Sequence, residues 1–361
     1  MFKYIEPKKV KLGNDENMTE RFAYYVPVTQ TLNSLLESDI WKNSVSQQSR
    51  ETNPDDFCDI SDGQNSKSNQ FFMGFSFLSN PGCLKLILYQ DAFEIVNPLG
   101  SAKKKHKVIA VYLSVANLPA HMRSNTVPCL INDLKQFGSA KVFSEMLEDL
   151  KNLEKNGITV GGETVKGALY CIAGDNLGSH SIGGFTENFS RSVYFCRYCE
   201  ITRPSLRMIQ MFVVHSVLLK VMILQFYKLK TDKAPGLPPC LGHDIFEGVL
   251  SYDVALYLKY FIKKNKWFTY SYKGSDALTK PSAVNSEGSK LSGQAIQNWN
   301  LLRLLPVLIG DKVQNPEDDV WQLTLQLKDI VDMICAQNIS LSQVAYLDII
   351  IQESVYFLRL H

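Results

Sequence analysis

The pattern of apolar and polar positions changes its period several times along this chain. From Tyr25 to Trp41, Val28, Leu32, Leu35, Leu36 and Ile40 recur at helical spacing, which predicts an amphipathic helix after a polar start. Residues 51–70 lose that pattern and fill with Asp, Asn, Ser and Gln, the composition of a loop or linker. The acids Asp55, Asp56, Asp59 and Asp62 within it lack the spacing of a calcium loop and read as a solvated surface. From residue 71 the period shortens. Phe71–Phe77, Leu84–Tyr89 and Lys107–Val115 are rich in aromatic, β-branched and other apolar residues, and predict three strands. Residues 129–155 return to helical spacing. Leu130, Leu134 and Phe137, then Val142, Phe143, Met146, Leu147, Leu150 and Leu153, mark one apolar face. Asn156-Gly157 supplies the stop. Ile158–Val160 and Ala168–Ile172 predict further strands.

Beyond residue 205 helical patterns dominate. They are broken by Pro235-Gly236-Leu237-Pro238-Pro239 and by a polar stretch near 268–290, and resume at 291–309 and 317–337. Val344 to Leu360 reads as an apolar helix ending without a cap, the mark of a fragment or a truncated element. Met208 to Leu229 is the most apolar segment, but Gln210, His215, Lys220, Gln225 and Lys228 interrupt it. Charges at a bilayer centre are expensive, so it reads as a buried helix and no membrane span is expected. The order strand-strand-strand-helix-strand followed by helices predicts the α/β class, with a mixed sheet.

Two strand patterns deliver a carboxylate. The run Leu84, Leu86, Ile87, Leu88, Tyr89 leads to Asp91, and the run Val165–Gly174 leads to Asp175 ahead of Gly178, Gly183 and Gly184. Carboxylates at the ends of two central strands suit a sheet that presents metal ligands to a phosphate backbone. The plainer reading is that each caps a turn. Cys196-Arg197-Tyr198-Cys199 is a C-x-x-C pair, half of a zinc site. The other cysteines, at 58, 83, 129, 171, 240 and 335, are scattered, which fits a reduced, intracellular chain better than a disulfide framework. No apolar signal segment opens the sequence, since Met1 to Lys11 is charged. A net charge of +2 over 361 residues says little about partners. The one dense basic run is Lys103-Lys104-Lys105-His106-Lys107, a solvated turn or a contact to DNA phosphates.

Taken in order, several phrases resemble the catalytic core of CACTA-type DDE transposases and their transposon-derived relatives in animals. They are YQDAFEIVNPLGS (Tyr89–Ser101), HKVIAVYLSVANLP (His106–Pro119), GALYCIAGDNLGSHSIGGF (Gly167–Phe185), FCRYC (Phe195–Cys199), LPPCLGHDIFEGV (Leu237–Val249) and NWNLLRLLPVLIGDKV (Asn298–Val313). The resemblance spans roughly residues 20–337. It implies an RNase H-like mixed sheet core with a helical, zinc-braced insertion. Its domains would be an N-terminal helical and linker region at 1–70, a core at 71–200, an insertion at 201–290 and a C-terminal helical part at 291–361. It further implies that Asp91 and Asp175 hold Mg²⁺ or Mn²⁺ with a third acid, and that Cys196, Cys199 and His243 hold Zn²⁺. The fourth zinc ligand is open, with Glu247 or Asp244 in place to serve. The partner implied is DNA, as transposon ends and target. A nuclear location and a homo-oligomer follow from the same resemblance.

The third acid departs from that pattern. It belongs on the helix leading into the LLP run, and Leu291–Pro306 reads LSGQAIQNWNLLRLLP. Its candidates Gln294, Gln297 and Asn298 are amides, which bring no negative charge to a metal. Glu247 and Glu287 remain, with Glu247 preferred. Three functions follow: an active DNA strand transferase; a domesticated DNA- or chromatin-binding protein that keeps fold and zinc without catalysis; or an unrelated zinc-stabilised scaffold.

Overall fold

The structure is a computed structural model that describes residues 5–39, 53, 55–62, 72, 83–94, 107–123, 127–132, 137–188, 191–197, 202, 236–265 and 290–360. The chain divides into two compact units. The first comprises the described residues of 1–54, 59–187 and 229–238, and the second those of 55–58, 188–228 and 239–361. The strand expected at Phe71–Phe77, the apolar run Met208–Leu229 and the candidate Glu287 lie outside the described residues, Phe72 apart.

The first unit is built on a mixed sheet. Its strands are β1 (Lys8–Asn14), β2 (Glu20–Tyr25), β4 (Leu84–Glu94), β5 (Lys107–Val115), β6 (Val127–Asn132) and β9 (Gly167–Gly174), in the spatial order β1-β2-β6-β5-β4-β9. All neighbours are antiparallel except β4 and β9, which run parallel. A parallel neighbour needs a long crossover. Here the chain passes through β5, β6 and two helices, α2 (Ser139–Val142) and α3 (Ser144–Lys155), before β9 returns beside β4. A two-stranded hairpin, β7 (Ile158–Val160) with β8 (Glu163–Val165), precedes β9.

One face of this sheet is buried. Along β4, Leu84, Leu86 and Leu88 are buried while Lys85 and Ile87 are half-buried and Tyr89 is exposed, the period of two that a pleated strand imposes. The buried set packs with Val111, Leu113 and Val115 of β5, with Val28, Leu32 and Leu36 of α1 (Val28–Leu36), and with Met146 and Leu153 of α3. Asp149 of α3 ties the two helices together. Its Oδ2 accepts the Tyr25 hydroxyl at 2.6 Å and the Val28 N–H at 3.1 Å, and the same N–H also reaches the Tyr25 hydroxyl oxygen at 3.1 Å, so a donor of the first turn of α1 is satisfied.

Two expectations change here. Residues 127–132 form a strand, although the sequence reads as helix from 129. The reason is tertiary: β5 pairs with this segment on one edge and β2 on the other, and such pairing overrides a short apolar run whose period is ambiguous. The polar start of the chain is also a β-hairpin, β1–β2, at the edge of the sheet. The acid-rich loop is tied down as well. Asp56–Phe57 forms β3, paired with β10 (Ile339–Ser340), and Asp59 bonds Arg123 at 2.6 Å.

The second unit is helical. It contains α5 (Leu241–Val249, wound as a π-helix), α6 (Leu250–Asn265), α7 (Ala295–Ile309), α8 (Asp319–Ile334) and α9 (Leu341–Leu360), besides β3 and β10. The short α4 (Asn176–Ile182) belongs to the first unit. Leu250, Leu258, Leu301, Leu302, Leu305, Ile330 and Leu347 fill the helical core. Trp321 is buried there, while Trp299 is half-buried and stacks on Phe246 with ring centroids 5.4 Å apart. No helix among the described residues is long and apolar enough to cross a membrane.

Gly157 ends α3 as the sequence indicates. It adopts φ +75°, and its N–H bonds the carbonyls of Asn152 and Leu153. A Cβ there would sit 2.7 Å from the Val165 carbonyl oxygen of β8, whereas at Gly161, with φ +59°, it would meet nothing within 4 Å. Gly161→Ala is therefore expected to cost only the left-handed backbone penalty, about 1–2 kcal/mol. Gly157→Ala should cost about 2–5 kcal/mol, because the clash adds to it. Urea unfolding of the two variants checks the ranking.

Candidate functional site

Asp91 and Asp175 lie on neighbouring strands. Tyr89 pairs with Ala173 and Gln90 with Gly174 across the parallel β4–β9 ladder, so each acid stands one residue past the last paired rung. Directly paired residues share a face and faces alternate along a strand. Asp91 thus faces away from the buried leucines, while Asp175 stands just past the end of β9, with the two backbones about one strand spacing of 5 Å apart. β4 does not stop at Asp91. It continues to Glu94 along β5, where Asp91 opposes Ala110, so the acid sits inside a strand where the sequence reads a strand end.

The two carboxylates differ in environment. Asp91 is exposed, and its Oδ1 accepts the N–H of Ala92 at 2.8 Å. Asp175 is half-buried and is the N-cap of α4, accepting the Gly178 N–H at 2.6 Å through Oδ1. Capping thus uses one oxygen, and Oδ2 accepts no hydrogen bond among the described residues. Gly178 is small for a reason, since a Cβ there would lie 3.0 Å from Asp175 Oδ1. Behind the acids, Gln90 is 4% exposed and its Oε1 has no partner among the described residues. Carboxylates are hard oxygen donors of the kind a divalent cation such as Mg²⁺ or Mn²⁺ takes.

Glu247 belongs to the helical unit, on α5. Its Oε1 accepts the N–H of Ala295, the first residue of α7, at 3.1 Å. The amides found where the resemblance places an acid have their own work there. Gln294 and Gln297 form a capping box at the start of α7. Asn298 is fully buried, and its Nδ2 donates to the carbonyls of Phe246 at 2.9 Å and Gly293 at 3.2 Å. A carboxylate cannot donate to a carbonyl, so packing at this position selects the amide.

The thiol-rich part lies in the helical unit too. Tyr194 and Thr202 form an isolated antiparallel bridge, so the chain doubles back with the C-x-x-C between them. Cys196 is half-buried, and Cys199 lies outside the described residues. His243 is exposed on α5, and its Nδ1 lies 3.2 Å from Sγ of Cys240. Sequence reasoning passed over Cys240, although its C-x-x-H spacing to His243 was the available signal. Tetrahedral zinc with bonds of about 2.3 Å to sulfur and 2.0–2.1 Å to nitrogen sets an S···N edge of about 3.6 Å, so this pair needs only a slight opening to serve as two ligands. Among the described residues no group of three or more His, Cys, Asp or Glu side chains is placed to hold a metal.

Asp244, the other open candidate for zinc, is committed elsewhere. Its Oδ2 accepts Nη2 of Arg197 at 2.9 Å and the Cys240 N–H at 2.8 Å, with both side chains of the ion pair almost fully buried. That pair fastens the C-x-x-C segment to the start of α5. His180 is buried and bonds the Thr186 carbonyl at 2.8 Å, a structural role. Of the basic run, Lys107 alone is described, and its backbone pairs with Glu94 at the far end of β4.

The sequence matches no protein-family model and no curated protein.

Removing Asp244 would strand the Arg197 guanidinium in an apolar setting. Asp244→Ala is expected to destabilise the chain by about 3–5 kcal/mol, and the double variant Arg197→Met/Asp244→Leu to recover most of that loss. Thermal melting of the three proteins checks it. A single-variant loss under about 1 kcal/mol contradicts the assignment.

Proposed function

We propose that this chain is a transposase-derived protein of the RNase H-like, DDE-type class, acting on DNA with divalent metal. The observation that carries the reading is the parallel β4–β9 ladder, whose last rung, Gln90 with Gly174, is followed by Asp91 on one side and Asp175 on the other. The order of the sheet supports it. Three successive antiparallel strands, β4, β5 and β6, are followed by helix, a short hairpin and then a strand added at the sheet edge parallel to the first. Magnesium or manganese, when bound, would supply the Lewis acid that activates an attacking oxygen and stabilises a leaving one. Asp91 and Asp175 would hold it, with Asp175 oriented by its bond to Gly178. Glu247, the acid the resemblance offers third, belongs to the helical unit, where one of its oxygens holds Ala295. DNA is the proposed partner, as transposon ends and target, with a nuclear location and a homo-oligomeric state.

In this reading Zn²⁺ braces the helical unit through Cys196, Cys199 and His243, and Cys240 is the fourth ligand. Buried Cys83 and Cys171, whose thiols are pushed up to about 12 chiefly by desolvation, stay protonated and do not compete for the metal. The zinc content of the purified chain is expected to be about one per molecule, and Cys240→Ser or His243→Ala should weaken binding at least about tenfold. Zinc retention unaffected by either change contradicts the assignment.

A second reading, a domesticated DNA- or chromatin-binding protein without catalysis, is favoured by one observation. Asn298 donates where an acid would stand. Cleavage of supercoiled DNA with Mg²⁺ or Mn²⁺ separates the two. Asp175→Asn keeps the capping acceptor and removes the charge, so it tests chemistry without unfolding α4. The active reading predicts cleavage by the parent and a loss of roughly 100-fold or more in Asp91→Asn and in Asp175→Asn. DNA binding without cleavage, unchanged by both substitutions, supports the domesticated protein.

A further inference from the structure

The face that carries Asp91 also carries exposed aromatic rings. On β4, Tyr89 and Phe93 stand two residues either side of Asp91, and they are 37% and 40% exposed. Residues at i−2 and i+2 of a strand share its face, so both rings flank the carboxylate at about 7 Å along the strand. Tyr112 of β5 pairs in register with Tyr89, and the two rings lie 6.2 Å apart, tilted by 37°. Directly beside Asp91 on β5 stands Ala110, which is buried, so the exposed surface around the acid on this face is that of Tyr89 and Phe93.

We infer that Tyr89, backed by Tyr112, and Phe93 form two stacking positions that seat unpaired nucleobases of a DNA end on either side of Asp91. The inference rests on the DNA-processing reading above and adds to it the form of substrate. Bases inside an intact duplex are stacked on one another and offer no ring face to a sheet. A base splayed from a single-stranded end does, and each aromatic–base stack contributes substantially to affinity without reading sequence. A platform on either side of Asp91 would fix where the backbone crosses that acid. Tyr89, Phe93 and Tyr112 are therefore positioning residues, and the chemistry stays with the carboxylates.

The test uses the full chain carrying Asp91→Asn and Asp175→Asn, without metal, so that neither cleavage nor carboxylate repulsion affects the readout. Fluorescence anisotropy compares a labelled duplex bearing a single-stranded 3′ overhang with a blunt duplex. Adding Tyr89→Ala is expected to weaken binding of the overhang by about tenfold or more and to leave the blunt duplex unchanged. Tyr89→Phe, which keeps the ring, should bind as the unsubstituted background does. Phe93→Ala should repeat the effect of Tyr89→Ala, with circular dichroism confirming that each variant is folded. Equal binding by all variants, equal loss for both DNAs, or no DNA binding at all overturns the platform. Failure of the underlying reading is seen separately. In that case the overhang binds through Tyr89, yet the parent chain with Mg²⁺ cleaves nothing.

Discussion

The pairing of β4 on both edges is the constraint on which the first unit depends. On one side it runs antiparallel to β5 from Leu86 to Glu94, and on the other parallel to β9 from Leu84 to Gln90. Because strand faces alternate, this double register fixes two things at once. Leu84, Leu86 and Leu88 go into the core against α1 and α3, and Tyr89, Asp91 and Phe93 go to the opposite face. A slip of one residue would exchange the two sets and bury a carboxylate among leucines. The packing that stabilises the sheet is therefore also what turns Asp91 away from the core.

The helical unit rests on a different kind of interaction. The buried Arg197–Asp244 pair joins a doubled-back segment to the first turn of α5, and Asp244 also takes the Cys240 N–H. Buried ion pairs contribute little net stability compared with apolar replacements, but they tolerate no misplacement, because either partner alone is strongly unfavourable. The pair thus sets where Cys240 and His243 stand. At α7 the same logic appears in amide form, with Asn298 bridging two carbonyls.

Much of this was legible in the sequence where side-chain period decides the structure. The cores of β4, β5, β7 and β9, the amphipathic α1, the apolar face of α3 and its glycine stop all follow from patterning and turn chemistry. What escaped were elements made by their neighbours. The β1–β2 hairpin displays Lys8, Lys9, Lys11, Glu20 and Arg21 and buries little beyond Leu12, Ala23 and Tyr25, so its local pattern reads as a polar start. β6 is a strand because β2 and β5 bond it from both edges. Asp91 and Asp175 could be picked out as acids at the ends of strand patterns, yet the parallel ladder that makes their strands neighbours is encoded by no local pattern. Cys240 escaped because its relation to His243 is one helical turn in space, while attention was on the C-x-x-C.

The central claim is that β4 and β9 hold their two carboxylates as one divalent-metal site. Calorimetric titration of the full chain with Mn²⁺, free of DNA, tests it most directly. The account predicts a binding event that either Asp91→Asn or Asp175→Asn weakens at least about tenfold, with the thermal melting of both variants in metal-free buffer close to that of the parent. Mn²⁺ binding that persists undiminished in both variants would contradict it, and would leave Asp175 as the cap of α4 and Asp91 as a solvated residue on an open sheet face.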